Sequence, residues 1–274
     1  MALQSKPLKE HNAIERVSFV VAFSRGLPQS KLNEVRSALE DFAQELPGVG
    51  PGVAPLQMAG MQVGQGFAIE TAEASRFIAK PDGMPAWAVQ AVGNLVQVQC
   101  FEYTSFAEVW TRARRYLLRA LSCIDEDAPV AEVAFHVVDK FEYPQGANWQ
   151  EYELAELFNP ASIYLTPKAQ ISGALWHVYQ GWFEPHDGAR ILHQLNLSTS
   201  VVLPDQQLNA IIDHRGALRA NGDSDMLAFK PLVAHRDDGS VQLDEAFLTL
   251  RTHNRQAIEN LLQPKKLRLI GIGQ

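Results

Sequence analysis

The spacing of apolar residues along the first half of the chain predicts alternating strands and helices. Residues 17–23 carry apolar side chains at every second position, which is typical of a strand with one buried face. In residues 29–46 the apolar side chains recur at steps of three and four, which predicts an amphipathic helix. The same patterns predict several short strands within residues 61–103, a helix at 105–124 and a strand at 130–141. The predicted order of the first half is therefore β-α-β-β-β-α-β.

The second half changes to a run of strands followed by a long helix. A short helical stretch is predicted at residues 148–160. Residues 175–184, 191–203 and 208–220 are strand-like and are separated by turn-forming residues, which predicts a three-stranded meander. A closing amphipathic helix is predicted at residues 243–262.

These patterns predict an α+β fold in which helices flank antiparallel sheets. The order of the elements favours two ferredoxin-like or related halves, with an N-terminal α+β half at residues 1–147 and a C-terminal meander plus helix at residues 148–274. The alternative is that both halves pack as a single domain, because a chain of 274 residues is long enough for either arrangement.

Composition and charge restrict the classes of function. Apolar residues make up 46% of the chain and charged residues 20%, so a large core can form without disulfides or metals. The formal net charge is −7, whereas a protein that binds nucleic acid over a broad surface usually carries an excess of Lys and Arg. Nucleic acid is therefore not expected as a general partner, although a local basic strip stays open as an alternative.

Cysteine usage and the lack of long apolar runs favour a cytoplasmic location. Cys100 and Cys123 lie in apolar runs without the spacing of a metal or redox motif, so they are expected to be buried thiols in a reducing compartment. Residues 1–12 are polar, and no window approaches ~18 continuous apolar residues. Neither a signal peptide nor a membrane-spanning helix is therefore predicted.

Three features of the chain, in this order, carry a family resemblance. They are an Ile/Glu-led strand at residues 14–23, an aromatic and Arg/Leu-rich helix at 106–121 that leads into a hydrophobic strand at 133–143, and a closing helix with His253 near its middle. In these features the chain resembles a sporadically distributed family of bacterial proteins of similar length that has no assigned function. The resemblance implies an α+β fold, a cytoplasmic location and genes that spread horizontally, often near mobile or phage-defence loci. It implies no catalytic residues.

One candidate catalytic row crosses the polar face of the predicted meander. If both hairpins are regular, His177 pairs with a residue near Ser198, and Ser198 pairs with a residue near Asp213. A nucleophilic Ser needs a base within hydrogen-bond distance and a carboxylate that orients the base. In this row the Asp lies beside the Ser, and no G-x-S-x-G motif surrounds Ser198. The alternative is an ordinary solvated face of an antiparallel sheet.

Two further histidines, His193 and His214, are predicted to lie on the opposite, apolar face of the meander. They could occupy neighbouring strands, but no third Asp, Glu or Cys at a recognisable spacing joins them. The sequence therefore predicts no metal site and no cofactor, and both histidines are interpreted as hydrogen-bonded core residues.

Two sets of side chains are candidates for binding an anion or a partner. Arg112, Arg115 and Arg119 form a stripe at helical spacing, which could receive a phosphate or an acidic partner; the alternative is a solvated face that pairs with acidic residues of the same chain, such as those at 125–127. Trp176 and Trp182 belong to an aromatic run in the first strand of the meander, and Trp and Tyr are frequent anchors of interfaces.

Because no strong catalytic motif is present, the sequence favours a non-enzymatic binding or regulatory protein that acts through a protein partner or through self-association. The alternative is a hydrolase or nuclease-like enzyme with an unfamiliar site, so whether the chain is an enzyme stays open. An RNA-binding module is the least favoured hypothesis, because the net charge is negative.

Overall fold

The computed structural model describes residues 3–50, 74–202, 207–220, 227–235 and 239–272. Within this part of the chain the strands are β1 (Lys6–Pro7), β2 (Ile14–Phe23), β3 (Gly48–Val49), β4 (Ala74–Ala79), β5 (Pro85–Val92), β6 (Leu95–Cys100), β7 (Pro129–Glu142), β8 (Trp176–His186), β9 (Ala189–Val202), β10 (Gln207–Ala220) and β11 (Leu227–Ala228). The helices are α1 (Gln29–Leu39), α2 (Phe106–Leu121), α3 (Leu154–Leu157), α4 (Pro167–Gln170), α5 (Phe229–Val233), α6 (Gln242–Leu261) and α7 (Pro264–Leu269). The α+β class is confirmed.

All of these strands belong to one open antiparallel sheet. Its order is β3-β4-β5-β6-β2-β7-β10-β9-β8, and β1 and β11 both pair with β7. Strand β7 from the first half pairs with β10 from the second half over a long register that runs from Asn209–Glu142 to Leu218–Val133. The two ferredoxin-like halves are therefore not supported, because the halves share a sheet. The division into residues 1–147 and 148–274 stays a prediction.

The main core lies between the sheet and helices α1, α2 and α6. Phe19 of β2 is fully buried at its centre, with Phe135 of β7, Trp110 of α2 and Phe247 of α6 at ring-centroid distances of 5.0 to 5.3 Å. The strand residues among them belong to the alternating apolar positions of β2 and β7, and the helix residues belong to the apolar faces of α2 and α6. Burial of these side chains against one another stabilises the packing of the helices on the sheet. None of the helices among the described residues has the length and apolar character needed to cross a membrane.

Two predicted helices differ from the structure. The helix predicted at 29–46 divides into α1 and a short 3-10 helix at Glu40–Phe42. The helix predicted at 148–160 is reduced to the 3-10 turn Trp149–Glu151 and the single turn of α3. Between these turns the chain is extended at Tyr152, whose buried hydroxyl accepts a hydrogen bond from the Trp176 indole at 3.0 Å. Tertiary packing of this aromatic pair is incompatible with a continuous helix. Those predicted strands that fall within residues 61–73 lie outside the described residues.

Candidate functional site

The proposed catalytic row is only partly assembled. His177 lies opposite Ser198 in the register of β8 and β9, as predicted, but Ser198 lies opposite Ile211 of β10. Asp213 lies two residues further along β10, and its Oδ1 is 2.6 Å from Nε2 of His136 in a buried pair. The β9–β10 register therefore places Asp213 away from Ser198, and its carboxylate pairs with a histidine of β7 instead. The structure does not bring the three predicted residues together as a relay.

This arrangement leads to a prediction for Ser198. A fluorophosphonate probe reacts with serines that a neighbouring base activates. Because His177 is exposed and no orienting carboxylate joins it in the register, we expect no labelling of Ser198, measured by peptide mass spectrometry. Labelling that disappears in both the Ser198→Ala and the His177→Ala variants would contradict this expectation.

Two of the three arginines of the stripe pair with acidic residues of the same chain, and the third stacks on an aromatic ring. Arg115 contacts Glu45 at 2.5 Å, and Arg119 contacts Asp41 at 2.7 Å. The guanidinium of Arg112 lies 4.6 Å from the centre of the Trp87 ring. The acidic partners therefore come from the segment after α1 rather than from residues 125–127, because α1 and α2 pack side by side.

The two tryptophans of β8 share one face of the sheet, as predicted, and this face is turned towards the helices. Trp176 is buried, and Trp182 is half-buried. Trp182 stacks on Tyr164 on one side and on His193 on the other, at centroid distances of 5.0 and 4.8 Å. Trp176 is thus a core residue and Trp182 part of a polar cluster. Neither presents a free aromatic surface.

A cluster of polar side chains surrounds Trp182 where β8, β9 and β10 meet α6. Glu184 of β8 and His193 of β9 point to the helix-covered face, and His253 extends from α6. Helix α6 approaches the sheet closely at Gly216. A Cβ atom at this position would lie 3.3 Å from the Leu250 side chain. One helical turn later, His253 meets the end of the β8–β9 hairpin.

Glu184, His193 and His253 form a candidate metal centre. Their ligand atoms all lie within 4.8 Å of one another. The Oε2 atom of Glu184 is 3.1 Å from Nδ1 of His253 and 3.6 Å from Nε2 of His193. Metal–nitrogen and metal–oxygen bonds of ~2.1 Å require ligand atoms roughly 3.0–3.4 Å apart. The two distances to Glu184 are close to this range, and the two histidine nitrogens lie within 4.8 Å of each other. Two imidazoles and one carboxylate are a ligand set of Zn²⁺ and of non-haem Fe²⁺.

Neighbouring side chains form hydrogen bonds with two of the three candidate ligands, Glu184 and His193. The indole Nε1 of Trp182 donates a hydrogen bond to Oε1 of Glu184 at 2.8 Å, which leaves Oε2 for the centre. Nδ1 of His193 lies 3.1 Å from Nε2 of His214. His214 Nδ1 lies in turn 3.0 Å from the Asn254 side-chain amide. Outer partners of this kind orient metal ligands and select their tautomers.

The direction of the Asn254 amide determines which nitrogen of His193 carries the proton. If the amide NH₂ donates to His214, then His214 donates to His193 Nδ1, and the proton of His193 resides on Nε2. If the amide oxygen faces His214 instead, the chain of donors reverses and His193 Nε2 keeps a free lone pair. This Nε2 atom is buried without a hydrogen-bond partner among the described residues. Metal coordination therefore requires the second orientation.

The electrostatics of the cluster suit a cation. Burial lowers the pKa of His193 to about 4 and that of His214 to about 3, so both imidazoles are neutral at pH 7. Burial opposes the ionisation of Glu184, but the hydrogen bond from Trp182 and the neighbouring His193 and His253 outweigh it and lower its pKa. The carboxylate is therefore charged, and metal binding requires no net release of a proton from His193 or Glu184.

The strand pattern of the sequence indicates His193 and His214 as a pair on one face, but it did not indicate Glu184 and His253 as candidate ligands. Glu184 lies two residues after Trp182 and therefore on the same face of β8, which was a usable signal. His253 could not be assigned, because its place beside β8 depends on where α6 crosses the sheet. The structure thus places two further candidate ligands beside His193, whereas His214 lies behind His193 as its hydrogen-bonded neighbour.

Comparison with family models, with curated proteins and with solved structures gave no match. The resemblance to a bacterial family stays a prediction.

Proposed function

We propose that this protein is a binding or regulatory protein that takes up a divalent transition-metal ion at Glu184, His193 and His253. The observation that carries the proposal is the convergence of these three ligand atoms from β8, β9 and α6 within 4.8 Å of one another. Their supporting hydrogen bonds and the neutral state of His193 add to it. Mixed imidazole and carboxylate donors favour Zn²⁺, Fe²⁺ or Ni²⁺ over Ca²⁺ and Mg²⁺, which take oxygen ligands.

A metal ion bound by Glu184, His193 and His253 would link the β8–β9 hairpin to α6. Strand β8 is an edge strand, with β9 as its only neighbour in the sheet of described residues. The outer face of this edge carries two exposed aromatic side chains, because Tyr179 and Phe183 are each 53% exposed. Long exposed edges with few charges are sites of strand pairing. The metal would therefore stabilise the strand through which we propose that the protein associates.

A second copy of the chain is the partner that β8 fits best. Gly181 lies midway between Tyr179 and Phe183, so antiparallel pairing of two β8 strands about Gly181 places Tyr179 of one copy opposite Phe183 of the other. The contact would be self-complementary, and each copy would contribute both aromatic side chains. We propose that the self-association predicted from the sequence occurs through this pairing of two β8 strands.

Metal binding is tested by titrating the purified protein, stripped with a chelator, with Zn²⁺ and Co²⁺. We expect one ion per chain, and the visible absorption of Co²⁺ reports its coordination by nitrogen and oxygen. The Glu184→Gln and His253→Asn variants are expected to weaken binding at least tenfold, because each removes one of three ligands. His186→Asn is the matched control, since His186 stands beside the His253 ring but is not a member of the ligand set.

Two outcomes would refute the metal site. Absence of a stoichiometric ion under these conditions would refute it directly, and so would binding that is equally strong in the wild-type protein and in both ligand variants. Self-association is measured separately by sedimentation of the wild-type protein and of a Tyr179→Ser/Phe183→Ser double variant. A wild-type protein that stays monomeric with and without Zn²⁺ would refute the edge pairing but not the metal site.

A hydrolase stays the second candidate function, and one feature of the candidate metal centre favours it. The Glu184 side chain is 40% exposed, so the open coordination positions face solvent and could hold a water. A metal with three protein ligands and one water is the usual arrangement of a hydrolytic centre. Turnover of an activated ester that requires Zn²⁺ and is lost in Glu184→Gln, but is retained in Ser198→Ala, would favour the enzyme over the regulatory protein.

A further inference from the structure

A cavity of about 260 Å³ lies on the helix-covered side of the sheet, at a place distinct from the metal ligands. It is bounded by β7 and α6, by residues 11–14 before and at the start of β2, by residues 103–106 before and at the start of α2, and by residues 270–272. Its size is below that of pockets for drug-sized molecules, which suits a small ligand.

The carboxyl group of Asp139 lines this cavity and has no partner. Asp139 is 4% exposed, and it makes no side-chain hydrogen bond or ion pair with the residues that the structure describes. Burial alone raises its pKa to about 7. Buried carboxyl groups are normally paired or hydrogen-bonded, so an unpaired one that faces a cavity indicates that its partner comes from outside the chain.

A cationic group without an acidic partner lines the same cavity. The guanidinium of Arg251 stacks on the Phe106 ring at 4.6 Å and forms no ion pair in the described part of the chain. Its neighbour on α6, Arg255, differs in this respect, because its Nε lies 3.0 Å from Oε1 of Glu259. Arg251 and Asp139 are not paired with each other, and only burial acts on the pKa of Asp139.

We propose that the cavity binds a small zwitterion of the amino-acid type, with its ammonium group at Asp139 and its carboxylate at Arg251. Two opposite charges that face one cavity without meeting are complementary to a ligand that carries both charges at a fixed separation. Phe106, Phe135 and Ile258 supply apolar walls for the rest of the ligand. A simple anion would satisfy Arg251 only, and a simple cation would satisfy Asp139 only.

This inference goes beyond the proposed metal site and does not rest on it. Neither Asp139 nor Arg251 belongs to the metal ligands. Asn254 nevertheless connects the two places, because it lines the cavity and also contacts His214 behind the metal ligand His193. A ligand that changed the direction of this amide would change the tautomer of His193.

Calorimetric titration of the full chain with each of the standard amino acids at millimolar concentration tests the proposal. We expect at least one of them to bind. For that amino acid, the N-acetyl derivative and the carboxamide each lack one of the two charges, and each is expected to bind at least tenfold more weakly, because each leaves one protein charge without a partner.

Variants of the two charged residues locate the site. Asp139→Asn and Arg251→Gln are each expected to weaken binding about tenfold or more, because a charge-assisted hydrogen bond is lost. Arg268→Gln is the control, because Arg268 is exposed on α7 and does not line the cavity, and we expect less than about a twofold change. Circular dichroism of each variant shows whether it is folded.

Three results would overturn the proposal. They are the failure of every standard amino acid to bind, equal binding of the amino acid and its two single-charge derivatives, and binding that persists in both folded variants. None of these results bears on the Zn²⁺ titration, so the cavity and the metal site are tested independently.

Discussion

Replacement of Lys266 by Met is expected to destabilise the native state by about 3–5 kcal/mol, because it removes the buried counter-charge of a buried carboxylate. Lys266 of α7 and Glu156 of α3 are 2% and 4% exposed, and Lys266 Nζ lies 2.5 Å from Glu156 Oε1. Lys266 also donates a hydrogen bond to the backbone carbonyl of Ser5 at 2.6 Å, and the Ser5 hydroxyl donates to Glu156 at 2.8 Å. The pair therefore joins the N-terminal segment to two short helices of the second half.

Thermal unfolding measures this effect, and we expect the Tm to fall by roughly 10 °C. Lys265→Met is the matched control. Lys265 is the adjacent residue and lies 3.7 Å from the same carboxylate, but its side chain is 50% exposed, so its loss is expected to cost less than about 0.5 kcal/mol. A second substitution, Glu156→Met, is expected to recover part of the loss in the Lys266→Met background, because it removes the unpaired charge. Equal effects of Lys265→Met and Lys266→Met would contradict the prediction.

Replacement of Asp139 by Asn is expected to stabilise the protein at pH 8 by about 2–4 kcal/mol and to have little effect near pH 4. Burial raises the pKa of Asp139 from 3.8 to about 7, so the native state holds this proton more tightly than the unfolded chain. Ionisation of Asp139 therefore lowers the stability as the pH rises from about 4 to about 7, and the loss is complete above pH 7. The uncharged amide of Asn has no such cost.

Chemical denaturation of both proteins at pH 4 and pH 8 measures this difference. The other titratable groups that line the cavity, His11, Tyr103, Arg251 and Arg255, are the same in both proteins, so their contributions largely cancel in the comparison. Asp187→Asn, at an exposed turn, is the control and should change the stability by less than about 0.5 kcal/mol at either pH. A gain that is the same at both pH values would exclude ionisation of Asp139 as its cause.

Local patterns in the sequence were sufficient to predict most of the secondary structure. The alternation in residues 17–23 and 130–141 corresponds to β2 and β7, and Ser105 caps α2 as its residue type and position predict, by accepting a hydrogen bond from the Glu108 backbone. These features depend on neighbouring residues only. The predicted helix at 148–160 was wrong over much of its length, because contacts of Tyr152 with a distant strand hold the chain extended.

The candidate sites depended more heavily on contacts between distant parts of the chain. The common face of Trp176 and Trp182 and the pairing of His177 with Ser198 could be predicted, since both follow from the period of a strand and the length of a hairpin. The partner of Asp213 could not, because it comes from β7, which is a neighbour of β10 in space but is distant in the chain.

The sequence by itself determined the α+β class, the alternating faces of the strands and the placement of His193 and His214 away from the exposed face of the meander. Only the tertiary structure decided that both halves share one sheet, that Glu184 and His253 meet His193, and that Asp139 and Arg251 face one cavity. The physical reason is that the first set of features depends on interactions between residues close in the chain, whereas the second depends on contacts between residues far apart in the chain. Side-chain periodicity is set by the local backbone geometry, whereas the crossing of α6 over the sheet is set by packing at places such as Gly216.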